Sequence, residues 1–129
     1  MRPLGGPAPR GRWLVVLWLG YWAGLFALTH LPKLGRAPSP IPHSDKLVHF
    51  GLFFGLTILG HLACTRRSAP SARKTLGWSA VYLVYGALDE WLQQFVGRTP
   101  DIADWLADGA GVIAATLLVL WRQSTKDAS

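Results

Sequence analysis

The sequence predicts an all-α protein: an integral membrane bundle of four transmembrane helices with both termini in the cytoplasm. Three observations point there. Hydrophobic residues make up 50% of the 129 positions and charged residues only 16%, whereas a soluble domain carries about 25% charge to stay dissolved. The apolar residues gather in four blocks close to the ~20 residues that a helix needs to cross a bilayer. Seven tryptophans suit a chain with two membrane–water interfaces, where an indole meets lipid with its ring and water with its N–H.

The elements follow in order. Residues 1–12 are rich in Pro, Gly and Arg and read as a disordered basic arm. Residues 13–31 carry no formal charge except on the titratable His30. No small-x-small cleavage pattern follows, so this block reads as an uncleaved span rather than a signal peptide. Pro32, Pro38, Pro40 and Pro42 make the next stretch an extended loop, because each removes a donor and restricts its predecessor. The second span covers 46–64, with Asp45 at its opening. Gly51 and Gly55 form a small-xxx-small pair there, a spacing that lets another helix approach. A polar loop with Arg66, Arg67, Arg73 and Lys74 leads to a third span at 75–95. A tight turn, Val96-Gly97-Arg98-Thr99-Pro100, precedes a fourth at 102–121. Residues 122–129 read as a short polar tail. The spans and their connections form one membrane domain, 13–121.

Charge fixes the expected orientation. With four spans, the arm, the second loop and the tail share one side and hold nine of the thirteen basic residues; the other side holds Lys33, Arg36, Lys46 and Arg98. Lys and Arg accumulate on the cytoplasmic face. The location this implies is a membrane, crossed several times, with the basic side in the cytoplasm. The net charge of +6 sits in short clusters between apolar blocks. It therefore points to a bilayer with anionic lipids rather than to nucleic acid. The single cysteine, Cys64, excludes an internal disulfide and a cysteine-based metal site.

The acids carry the functional signal. Six of the seven acidic residues, all but Asp127, fall at the outer ends of the predicted spans: Asp45, Asp89, Glu90, Asp101, Asp104 and Asp108. Helical spacing puts Asp45 and His49 on one face, Tyr85, Asp89 and Gln93 on another, and Glu90 with Gln94 beside it. Asp104, Asp108 and Gly111 follow i, i+4, i+7. An ionisable group a turn below the interface costs several kcal/mol unless paired or wetted, so it faces the bundle interior. Arg98, in the turn, is placed to fork between Asp89 or Glu90 and Asp104. Lys46 and His49 are the other counter-charges. Six carboxylates against three cations leave a surplus, which calls for protonation, a bound cation or a basic partner. The bland account is that such residues cap helices and lock them together. It fits Asp101 and, less well, Asp45, but Asp89, Glu90 and Asp108 have no cap to make.

Three pieces of this pattern resemble the VanZ-like family of small bacterial membrane proteins. Asp45-Lys46-Leu47-Val48-His49-Phe50 is similar to the family's D-K-x-x-H-F helix opening. Asp89-Glu90-Trp91-Leu92-Gln93 is similar to its D-E-x-x-Q. Arg98, Asp104 and Gly111 are similar to the R…D…N…G run that opens the last helix. Asp108 departs from the pattern, standing where the family commonly has Asn. The resemblance covers about residues 45–111 and implies a multi-spanning protein of the cell envelope, in the bacterial cytoplasmic membrane, without implying a reaction. The family takes its name from a member linked to resistance to the glycopeptide teicoplanin, so glycopeptide tolerance is among the roles implied.

The expected function is non-enzymatic. An outward-facing polar pocket of Asp45, Lys46, His49, Asp89, Glu90, Gln93, Arg98, Asp104 and Asp108 would bind a lipid-linked or cell-wall-related ligand, or modulate a membrane partner. Arg98 would hold an anionic headgroup while Asp89 and Gln93 orient it. The alternative is a small intramembrane enzyme acting on a lipid headgroup, with Asp89 or Glu90 and His49 as an acid–base pair. A third reading, an ion-coupled oligomer, uses the buried carboxylates as carriers. No cofactor is expected, and no metal-ligand spacing is recognisable.

Overall fold

Every described element in the computed structural model is helical. It describes residues 9–31, 43–65 and 71–127. The arm before residue 9, the proline-rich loop with Lys33 and Arg36, the loop arginines Arg66 and Arg67, and the last two residues lie outside the described residues. Four α-helices follow one another: α1, Pro9–Thr29; α2, Ser44–Cys64; α3, Ala72–Leu92; and α4, Ile102–Asp127. A single 3-10 turn, Gln93–Val96, follows α3.

Three of the helices are long and apolar enough to cross a membrane: α1 over 11–29, α2 along its length and α4 to Lys126. The third span expected from the sequence, now α3, has the same length as α2. Its apolar run is broken by Arg73 and Lys74 at one end and Asp89 and Glu90 at the other.

Boundaries moved where side chains extend the helices. The arm was expected to stay disordered to Arg12, but α1 begins at Pro9; proline suits the first helical position, where its missing N–H costs nothing. Helix α3 starts three residues before position 75 because Ser71 caps it, accepting from the Lys74 N–H at 3.3 Å. The polar tail after residue 121 is helical to Asp127. Gln123 Nε2 donates to Thr75 Oγ1 at 2.9 Å, which holds the end of α4 against the start of α3.

Cross-helix contacts define the topology. Ser79 and Thr116 hydroxyls meet at 2.6 Å near one end of the α3–α4 pair, while the Glu90 carboxylate reaches the Asp101 N–H near the other. These helices are therefore antiparallel. His49 meets Asp108 at 2.9 Å, and a Cβ on Gly111 would strike the Phe50 carbonyl; α2 and α4 therefore run parallel in close register. Tyr21 OH donates to the Leu52 carbonyl at 2.9 Å and Thr29 reaches Asp89, so α1 runs with α3 and against α2. The result is an up–down–up–down bundle.

Its interior is aromatic in the middle and polar at one end. Trp18 packs on Trp22 and Trp78, Trp22 on Tyr82 and Tyr85, and Phe53 on Tyr85. Outside, Trp13, Leu17, Val84, Ile102, Leu117 and Trp121 are exposed, while Asp89, Glu90, Gln93, Asp104 and Asp108 are buried. That distribution is the reverse of a water-soluble bundle's and suits a hydrocarbon solvent.

Candidate functional site

The polar end is built from the first turns of α2 and α4, the last turns of α3 and α1, and the 3-10 turn. Its network has two halves.

The first half lies along the α2–α4 seam. Lys46 Nζ donates to Asp104 Oδ1 at 2.9 Å and to Asp101 Oδ2 at 3.1 Å, with Asp45 Oδ2 at 3.7 Å. One turn deeper, His49 Nδ1 lies 2.9 Å from Asp108 Oδ1, and its Nε2 faces Asp104 Oδ2 at 3.7 Å. Asp104 and Asp108 reach these partners because the i, i+4 spacing puts both on the α4 face that meets α2. Gly111, one turn further, lets the two backbones close up. The seam is buried at depth: Asp108 is 1% exposed and His49 5%. Asp108 Oδ2 is buried with no hydrogen-bond partner among the described residues.

The second half lies between α3 and α1. Asp89, 1% exposed, accepts from Thr29 Oγ1 at 3.1 Å and Tyr85 OH at 3.0 Å on one oxygen, and from Gln93 Nε2 at 3.4 Å on the other. His30 Nδ1 stands 3.7 Å from the same carboxylate. Gln93 also donates to Glu90 Oε2 at 3.1 Å, and Glu90 Oε1 accepts from the Asp101 backbone N–H. That last bond joins the halves, since Asp101 is also bound by Lys46.

The network gathers every residue expected there, with corrections to who meets whom. Arg98 does not bridge the carboxylates. Its guanidinium donates to the Thr29 carbonyl at 2.7 Å. Gly97 takes a left-handed conformation (φ 75°) at the end of the 3-10 turn, and the chain then carries Arg98 towards the C-terminus of α1, where carbonyls lack intrahelical partners and attract a cation. Lys46 instead joins Asp104 to Asp101 and Asp45, and reaches neither Asp89 nor Glu90 among its contacts. Gln94 leaves Glu90 and donates to the Trp91 carbonyl; Gln93 takes its place. Asp101 caps α4 as expected, accepting from the Ala103 N–H at 2.9 Å. Asp45 stays half exposed at the rim, whereas Tyr85, Asp89 and Gln93 form the expected stripe.

Sequence reasoning missed Thr29. It assigned α1 no part in the site, yet Thr29 binds Asp89 with its hydroxyl and Arg98 with its carbonyl. The available signal was its position: Thr29 and His30 are the polar residues ending an otherwise apolar block, at the membrane level where the acids converge. No family model, no curated protein and no solved structure matches the chain.

Chemically, the network holds more acceptors than donors. Donation by neutral groups (Thr29, Tyr85, Gln93 and a backbone N–H) satisfies Asp89 and Glu90 without neutralising them, and Lys46 is shared among three carboxylates. No group of three His, Cys, Asp or Glu among the described residues is placed to hold a metal ion. The arrangement is suited to receiving hydrogen-bond donors or positive charge from outside.

Proposed function

We propose that the chain is a VanZ-like integral membrane protein of the bacterial cell envelope. In this reading it is non-enzymatic, and its outward-facing acidic network binds a lipid-linked or cell-wall-related ligand through hydroxyl or amino groups. Four spans belong to this reading, although three helices are long and apolar enough by themselves. Because α3 lies antiparallel to α4 from Thr75 to Glu90, it must share whatever slab α4 crosses. Its 21 residues reach ~31 Å, and its charges stand at the two ends.

The observation that carries the binding reading is the orphaned Asp108 oxygen. A network that only locked helices would satisfy its buried acceptors, because each one left bare costs about 1–3 kcal/mol, and more when charged. A donor from a ligand would complete it. Asp45, Lys46 and Asp101 form the partly exposed rim above it. The enzyme reading is less well supported. Both ring nitrogens of His49 face carboxylates, so neither is open to a substrate proton.

The test is the lipid fraction that co-purifies with the full chain, read by mass spectrometry. The binding reading expects a glycan- or amine-bearing envelope lipid that is lost at least tenfold in His49→Ala while helix content stays unchanged. An extract indistinguishable from bulk membrane would overturn it, and turnover of the lipid abolished by His49→Ala would replace it with the enzyme reading. Glycopeptide tolerance, the finer role in the same proposal, is checked by teicoplanin susceptibility of cells with and without the protein.

A further inference from the structure

At the end of the bundle away from the acidic network, a groove of about 820 Å3 runs between α2, α4 and the start of α3. No residue of the acidic network lines it. Its α2 wall passes from Phe54 and Ile58 to Thr65, and its α4 wall from Leu118 to Arg122 and Lys126. The two helices are parallel, so both walls change from hydrocarbon to polar in the same direction. From Phe54 to Thr65 the groove extends about 16 Å at the rise of an α-helix. That is close to one leaflet of a hydrocarbon core ~30 Å thick.

The charged side chains that line the polar end are cations. Arg122 and Lys126 are exposed there, with the titratable His61 beside them, and no carboxylate lines the groove among the described residues. An apolar trough one leaflet deep, ending in two cations, has the length and polarity of a single class of molecule.

We infer that this groove is a binding site for an anionic phospholipid, with an acyl chain along Phe54, Ile58 and Leu118 and the phosphate at Arg122 and Lys126. The site is separate from the acidic network and does not depend on what that network binds. A zwitterionic lipid offers the same chain but sets its ammonium against the same two cations, so the groove selects by headgroup. A cation in the last turn of a helix also complements the helix's own carbonyls. That role alone gives no preference among lipids, and so the two are separable.

The full chain in neutral detergent is titrated with phosphatidylglycerol and with phosphatidylcholine of identical chains, and bound lipid is counted by native mass spectrometry. Phosphatidylglycerol is expected to bind roughly tenfold or more tighter, since each basic residue near a membrane surface contributes severalfold. Arg122→Gln with Lys126→Gln brings it down to the phosphatidylcholine level and leaves phosphatidylcholine unchanged. Leu118→Trp fills the trough with its charges intact and removes both lipids; Ile58→Trp repeats the filling from the other wall should the first variant misfold by circular dichroism. Glycerol 3-phosphate, which has no chain, displaces neither lipid. Equal affinity for the two lipids, a preference that survives the double substitution, retention of both lipids by the filled groove, or displacement by glycerol 3-phosphate would each overturn the assignment.

Discussion

Asp108 concentrates the residue-scale question. Its Oδ1 holds His49 at 2.9 Å while its Oδ2 is buried without a partner, so the side chain is at once a tie and a liability. Asp108→Asn keeps an acceptor for His49 and removes a buried charge, but leaves an unpartnered amide nitrogen in place of the oxygen. The two changes offset, and stability is expected to stay within about 1 kcal/mol of the parent. Asp108→Leu removes the acceptor and strands His49, which is expected to cost about 3 kcal/mol. Unfolding in mixed micelles, followed by circular dichroism, measures both; equal losses in the two variants would show that the charge itself, not the acceptor, holds the seam. Most site residues were legible because helical spacing reports which side chains share a face. Partners across helices were not, because spacing is silent on how far a turn swings. Arg98 and Lys46 are both cations at the same level, yet Lys46 meets Asp104 and Arg98 meets the Thr29 carbonyl.

At the scale of elements, close approach was read from the wrong helix. Gly51 and Gly55 have the small-xxx-small spacing, yet a Cβ on Gly51 would meet nothing within 4 Å, and one on Gly55 would meet the Tyr21 hydroxyl. The tight backbone approach belongs to Gly111, where an added Cβ would strike the Phe50 carbonyl and crowd the Phe54 nitrogen. Spacing identifies a small-residue face but not whether that face meets a helix, a side chain or lipid. Gly111→Ala must push α4 from the α2 backbone, which cannot swing away as a side chain could, and is expected to cost about 1–3 kcal/mol. Gly51→Ala, in open space on a helix, is expected to be neutral or to stabilise by up to about 1 kcal/mol. The same unfolding titration separates them, and reversal of their order would show that the α2–α4 seam is looser than its geometry. Arg98 ties the α3–α4 turn to the end of α1 by one charged hydrogen bond. Arg98→Ala is expected to lower stability by about 1–2 kcal/mol, and Arg98→Lys to recover part of that loss. If Arg98 instead neutralised carboxylates, the loss would vanish in an Asp89→Asn background, whereas a cap on Thr29 predicts a loss that persists there.

For the whole molecule, the membrane frame orders both ends of the bundle. Trp13 at the start of α1 and Trp121 near the end of α4 are exposed at one level, and Trp91 and Trp105 at the other. From Trp105 to Trp121 the helix rises ~24 Å, comparable with a ~30 Å hydrocarbon core flanked by interfacial indoles. The acidic network lies at the Trp91–Trp105 end and the basic groove at the Trp13–Trp121 end. That division was legible from the sequence as a charge asymmetry; the groove was not, because it forms only once the polar tail continues α4 beside α2. The asymmetry predicts the orientation. In a Cys64→Ser background, Thr99→Cys sits at the acidic end and Thr125→Cys at the basic end, and both positions are exposed. A membrane-impermeant maleimide added to intact cells is expected to label position 99 and to reach position 125 only after permeabilisation, because lysine and arginine hold the basic end on the cytoplasmic side. The opposite pattern would turn the bundle over. It would put the acidic network in the cytoplasm, beyond the reach of any ligand outside the cell, and would place the phospholipid groove in the outer leaflet.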